Sequence, residues 1–124
     1  MKKLNRKRLV KRLDEAVSKY VRQRDGCCVV CGSDYRLGNG HIFTRKNYST
    51  RWDISDDGNC HTQCWRCNFY HSSNEMWKYF NWYIGKFGQD SFDKLYQRHK
   101  QIVKYTNHDL LDLLEEINGK RQND

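Results

Sequence analysis

Two Cys-x-x-Cys pairs carry the clearest chemistry in this 124-residue chain. Cys28-Val29-Val30-Cys31 is followed by Gly32, and Cys64-Trp65-Arg66-Cys67 is followed by Asn68. Thiolates in two such pairs supply the four ligands of a closed, structural zinc site. Gly32 lets the backbone turn tightly behind the first pair. Cys28 rather than Cys27 has the two-residue spacing to Cys31, so Cys27 and Cys60 remain as free thiols among the six cysteines. A disulfide framework needs an oxidising compartment. The basic start at residues 1–8 leads into no apolar h-region and does not read as a secretory signal.

The elements around these pairs must form with little apolar material. Hydrophobic residues make up 37% of the chain, so the buried core is small and metal binding must add folding free energy. No run approaches the roughly 18 apolar residues of a membrane helix. Length and composition therefore weigh against a single-pass membrane protein, a secreted disulfide miniprotein and a large cofactor enzyme. The net charge of +8 is concentrated at one end, because residues 1–24 hold ten Lys or Arg against two acids. Leu9, Val10, Leu13, Val17, Tyr20 and Val21 recur there at helical spacing, which predicts an amphipathic helix over 4–24. Its other face carries Lys7, Arg8, Lys11, Arg12, Lys19 and Arg22 and suits a nucleic-acid backbone. A membrane surface fits less well, because Tyr20 is the one aromatic anchor of the stretch.

The 32 residues from Gly32 to Gln63 exceed the roughly 15–20 of a plain zinc ribbon and leave room for a hairpin and a loop. Gly38-Asn39-Gly40 predicts a tight turn, His41-Ile42-Phe43-Thr44 a strand, and residues 45–59 a loop. The second pair opens a helical tract. Met76, Phe80, Tyr83, Ile84 and Phe87 share one face, with Trp77 and Trp82 beside it, and Gly88 stops the helix. These aromatics read as core or dimer contact. A helix carrying Phe92, Leu95, Tyr96, His99, Ile102 and Val103 follows, with His99 packed. Thr106 to Asp109 resembles a capping box for a last helix through Leu110, Leu113, Leu114 and Ile117. The organisation is a single domain: basic helix 1–24, zinc-knuckle core 25–74, helical part 75–118 and a fraying tail 119–124.

Three polar residues surround the cysteine pairs: His41, Asn59 and Asn68. They resemble the H-N-H nuclease motif in an H-N-N variant, on a zinc-stapled ββα-metal core similar to phage endonuclease VII. The longer blocks Gly40 to Arg45, Thr50 to Asp53, Asn59 to Asn68 and Ser73-Asn74 resemble the phage NinG (Rap) recombination-protein family. Tyr20 to Asp25 and Tyr83 to Gly88 extend the likeness over residues 15–115. It implies a mainly helical α+β fold, with the small ββα-metal core stapled by Cys28, Cys31, Cys64 and Cys67 and flanked by helices.

The resemblance also implies an activity: hydrolysis of phosphodiester bonds in branched DNA, a Holliday junction or D-loop, by a one-metal mechanism. His41 would be the general base. Asn59 would hold the imidazole or its loop. Asn68 would offer oxygen to a catalytic magnesium, for which manganese could substitute. Gly40 stands where many such enzymes have a metal-binding acid, so the second ligand is open; His71, at i+3 from Asn68, is preferred to His61. Arg45, Lys46, Arg51 and Arg66 would contact phosphate, Arg45 and Arg51 ahead of the others; the alternative is a solvated loop charge or a pairing with Asp53, Asp56 or Asp57. Lys7, Arg8, Lys11 and Arg12 would bind DNA from the basic helix. The expected setting is a host-cell cytoplasm, without membrane and with a possible homodimer through the helices of 75–118. The competing reading is a non-catalytic, zinc-stabilised DNA-binding or partner-binding module.

Overall fold

Asn5 opens the first helix by accepting the Arg8 amide on its Oδ1 at 3.1 Å, and Gly26 closes it in the left-handed region at φ 74°. This helix, α1 (Arg6–Asp25), begins the computed structural model, which describes residues 5–122; the side chains of residues 71–73 and 122 lie outside the description. The order continues β1 (Leu37–His41), α2 (Tyr48–Arg51), β2 (Cys60–Cys64), α3 (Trp65–Ser73), α4 (Met76–Phe87), α5 (Gln89–Lys100) and α6 (Asn107–Gln122). The molecule is mainly helical, with a two-stranded antiparallel sheet that pairs Leu37 with Cys64 and His41 with Cys60.

Two apolar clusters flank the sheet. Leu9, Leu13, Ala16, Val17 and Val21 of α1 meet Leu110, Leu114 and Ile117 of α6, with Trp52 and Cys60 beside them. The second cluster joins Ile42, Tyr79, Tyr83 and Leu95, with Phe43, Phe80, Trp82, Phe87 and Phe92 around them. The leucine face of α6, expected to serve a dimer, is therefore buried on α1 within one chain. Thr106 and Asp109 form the reciprocal capping box, with amide-to-side-chain distances of 2.8 and 3.1 Å. The tail expected to fray is helical to Gln122; residues 1–4, 123 and 124 lie outside the description.

Several local expectations are corrected: the strand expected over His41–Thr44 runs Leu37–His41, and α5 ends at Lys100, which leaves Ile102 and Val103 outside it and exposed. Gly38-Asn39-Gly40 lies inside β1 and makes no turn; neither glycine adopts a positive φ. Gly40 is small for another reason: a Cβ there would lie 2.7 Å from Cδ of Gln63 across the sheet. Residues 45–59 are not a plain loop, because α2 is fastened to the end of α5. Asn47 Nδ2 and Ser49 Oγ donate to the His99 carbonyl at 2.9 and 2.8 Å. His99 Nε2 sits 3.2 Å from Asn47 Nδ2 and its Nδ1 2.9 Å from Thr50 Oγ1, and its ring stacks on Phe43. His99 is packed and fully bonded.

Leu13 is 0% exposed at the α1–α6 contact. Leu13→Ala is expected to destabilise the fold by about 2–5 kcal/mol in chemical denaturation.

Candidate metal centre and active site

The first Cys pair turns through Gly32, whose φ of 80° suits glycine and whose amide donates to the Cys28 carbonyl at 2.9 Å. The second pair straddles the end of β2 and the first turn of α3, where the Cys64 sulfur accepts the Cys67 amide at 3.4 Å. The sulfurs of Cys28, Cys31, Cys64 and Cys67 all lie within 4.8 Å of one another, with Cys31 and Cys64 at 3.7 Å. Tetrahedral zinc with bonds of about 2.3 Å has sulfur–sulfur edges of about 3.8 Å, so this cluster could hold a zinc ion. Burial pushes the Cys28 thiol up, but backbone hydrogen bonds from Cys31, Cys64 and Val30 outweigh it and bring it to about 7. Cys60 is not part of the cluster. It is buried, donates to the Arg51 carbonyl at 3.2 Å and is pushed up to about 12 by burial.

The sheet register decides which side chains meet. Asn39 and His41 lie on one face of β1, with Cys60 and Thr62 opposite them on the same face. Beyond them Asn39, His41, Thr44, Arg45, Trp65, Asn68, Phe69 and Met76 line an open cavity of about 560 Å³. His41 and Asn68, far apart in sequence, thus share one cavity. His41 Nε2 lies 3.0 Å from the Arg51 carbonyl. A carbonyl only accepts, so Nε2 carries the proton and Nδ1 keeps its lone pair. Desolvation pushes this imidazole below the ordinary 6.5, against the pull of the Arg51 carbonyl.

Asn59 does not touch the imidazole. It is fully buried; its Oδ1 accepts the Phe43 amide at 2.8 Å and its Nδ2 donates to the Phe43 carbonyl at 2.9 Å. The Ile42 amide donates to its carbonyl as well. Asn59 therefore pins the chain that leaves His41. Asn39, which no local motif singles out, contributes a buried Oδ1 with no hydrogen-bond partner. Only the strand register could have shown that it stands beside His41.

His61 points the other way, against Trp82 and Phe87. Its Nε2 donates to the Gly58 carbonyl at 2.7 Å, its Nδ1 faces an Arg24 Nη at 3.2 Å, and burial lowers it to about 4. It is no ligand for the His41 cavity. The side chain of His71 lies outside the described residues.

A family model described as "Bacteriophage Lambda NinG protein" matches residues 1–123. The chain belongs to this family. No curated protein and no solved structure matches it. No described helix is long and apolar enough to cross a membrane.

The NinG-family chain sorts its cations into committed and open ones. Arg51, expected on phosphate, is held within the fold. Its Nε and Nη2 donate to the two Asp14 oxygens at 3.0 and 2.6 Å, and Nη1 donates to the Arg45 carbonyl at 3.3 Å. The partner is Asp14 of α1, not the nearby Asp53, Asp56 or Asp57. Burial pushes the Asp14 carboxyl up, but hydrogen bonds from Arg51 and Trp52 outweigh it and hold it below 3.8. Arg45 and Lys46 are exposed, and Arg45 borders the cavity. Arg66 is exposed beside Tyr70, on the knuckle side. Lys7, Arg8, Lys11 and Arg12 are all exposed on α1.

Elemental analysis is expected to find one zinc per chain. Cys64→Ser should lose the ion and several kcal/mol of stability, because binding free energy is folding free energy here. A metal-free protein of unchanged melting temperature would contradict the zinc site.

Proposed function

We propose that this NinG-family chain is an endonuclease that hydrolyses phosphodiester bonds in branched DNA, with an HNH-like core and a one-metal mechanism. The observation that carries the reading is the meeting of His41 and Asn68 in one cavity, with the His41 Nδ1 lone pair unblocked by the Nε2 bond. The succession β1, β2, α3 around a four-cysteine cluster supports the HNH-like assignment.

His41 is the general base, taking a proton from water at Nδ1. The hydrogen bond to the Arg51 carbonyl fixes the ring, and Asn59 fixes the chain that follows it. Arg45, at the cavity edge, grips a phosphate oxygen. The carboxamide residues Asn68 and Asn39 are among those lining the cavity with the base. They fit a hard, oxygen-binding cation such as magnesium, and no carboxylate is among the lining residues. The DNA phosphate must then supply the negative charge. Magnesium bound there would stabilise charge developing on the phosphate and the leaving oxygen.

His41 acts as a base only when neutral. Its folded-state value lies below 6.5, so activity is expected to rise with pH through an apparent pKa below 6.5 and to level off by neutrality. With magnesium, the protein should nick a synthetic four-way junction, and His41→Ala should slow it by about 10²–10⁴-fold. Equal cleavage by His41→Ala refutes the assigned base. Binding without any cleavage would identify a non-catalytic DNA-binding module.

The exposed cations of α1 add a sequence-independent hold on the DNA backbone. Replacing Lys7, Arg8, Lys11 and Arg12 by Gln leaves the buried face of α1 intact. It should flatten the dependence of log affinity on log salt by about 0.9 for each duplex phosphate no longer neutralised. An unchanged slope would place the cationic surface elsewhere.

A further inference from the structure

We infer that Trp65, with Phe69 and Arg36, forms a stacking platform for unpaired bases of the DNA strand that enters the His41 cavity. The core aromatics are accounted for by the two buried clusters. Trp65 and Phe69 are not among them: they are 56% and 55% exposed at the start of α3. Their rings lie 5.5 Å apart at 17°, an offset stack on the outside of the molecule. The guanidinium of Arg36 lies 5.3 Å from the Trp65 ring centroid. The backbones of these two residues are tied as well, because the Trp65 amide donates to the Arg36 carbonyl at 2.9 Å.

Position gives the platform its meaning. Trp65 is a shared wall of two cavities. One holds His41, Asn68 and Arg45. The other, of about 530 Å³, is bounded by Tyr35, Arg36, Arg66 and Tyr70 over the cysteine cluster. A strand whose phosphate lies at His41 can therefore pass directly over Trp65 into the second groove. The charge suits a polyanion: Arg36, Arg45 and Arg66 border the two cavities, and neither has an Asp or Glu among its lining residues. Exposed aromatics alternating with Arg along a groove are how proteins hold unpaired nucleotides, since every base offers a π-face. Bases inside a duplex are already stacked and cannot reach such a surface. Among branched DNAs, the platform thus favours those with unpaired nucleotides beside the cut, such as a D-loop, over fully paired ones.

The inference rests on the nuclease reading for where the strand leads, but its test needs no cleavage. Zinc-loaded full-length protein is titrated, without magnesium, with fluorescein-labelled oligo-dT and with a duplex of equal charge. Trp65→Ala should weaken oligo-dT binding by about 5- to 150-fold while changing duplex binding less than about twofold. Trp65→Phe should bind oligo-dT nearly as the native protein does. Phe69→Ala, a second exposed change, should act in the same direction as Trp65→Ala. Unchanged oligo-dT affinity in both alanine variants overturns the platform, as does an equal loss on oligo-dT and duplex. Trp65-dependent binding with no magnesium-dependent nicking would keep the platform and remove the nuclease. His41-dependent nicking with native oligo-dT affinity in both alanine variants would do the reverse.

Discussion

The antiparallel pairing of β1 with β2, clamped at one end by four cysteine sulfurs, is the constraint on which everything else depends. The ladder is two strands, too short to be stable alone. At the Leu37–Cys64 end the strand leads directly into the cysteine cluster. At the His41–Cys60 end Asn59 locks the chain by bonding both backbone groups of Phe43. With both ends fixed, register is set; a slip of β2 by one residue would carry His61 onto the face of the sheet that holds His41.

The two histidines show how environment assigns roles. Both are pushed below the ordinary value by desolvation, and both donate from Nε2 to a backbone carbonyl. On His61 the remaining nitrogen faces Arg24, within a network where Arg24 also reaches Asp25, Ile54 and Cys60. That ring is a structural node. On His41, a residue that lines the cavity, the remaining nitrogen makes no hydrogen bond among the described residues. The same logic separates the arginines: Arg51 is held by both oxygens of Asp14, while Arg45 stays open at the cavity rim. That bidentate pair joins α1 to α2 at the residue whose carbonyl meets His41 Nε2.

Much of this was legible in the sequence because it depends on spacing. The cysteine pairs, the amphipathic α1, the glycine at 88 and the capping box at Thr106 are local patterns, and the structure bears them out. What was not legible depends on long-range geometry. The glycines at 38 and 40 look like a turn, yet Gly40 exists to leave room for Gln63, a residue from the other strand. Arg51 and Asp14 are linked across the fold, and nothing local marks them as partners. Asn39 gains its interest only when register sets it beside His41. The leucines of α6 were recognisable as a buried face, but which surface covers them was decided by α1.

The central claim is that the stapled sheet presents His41 as a neutral imidazole with a free Nδ1. Long-range ¹H–¹⁵N spectra of the zinc-loaded protein, titrated with acid, observe that atom directly. The account predicts the Nε2–H tautomer for His41 at neutral pH and protonation at a pH below 6.5. An Nδ1–H tautomer, or an imidazolium already present at neutral pH, would contradict it.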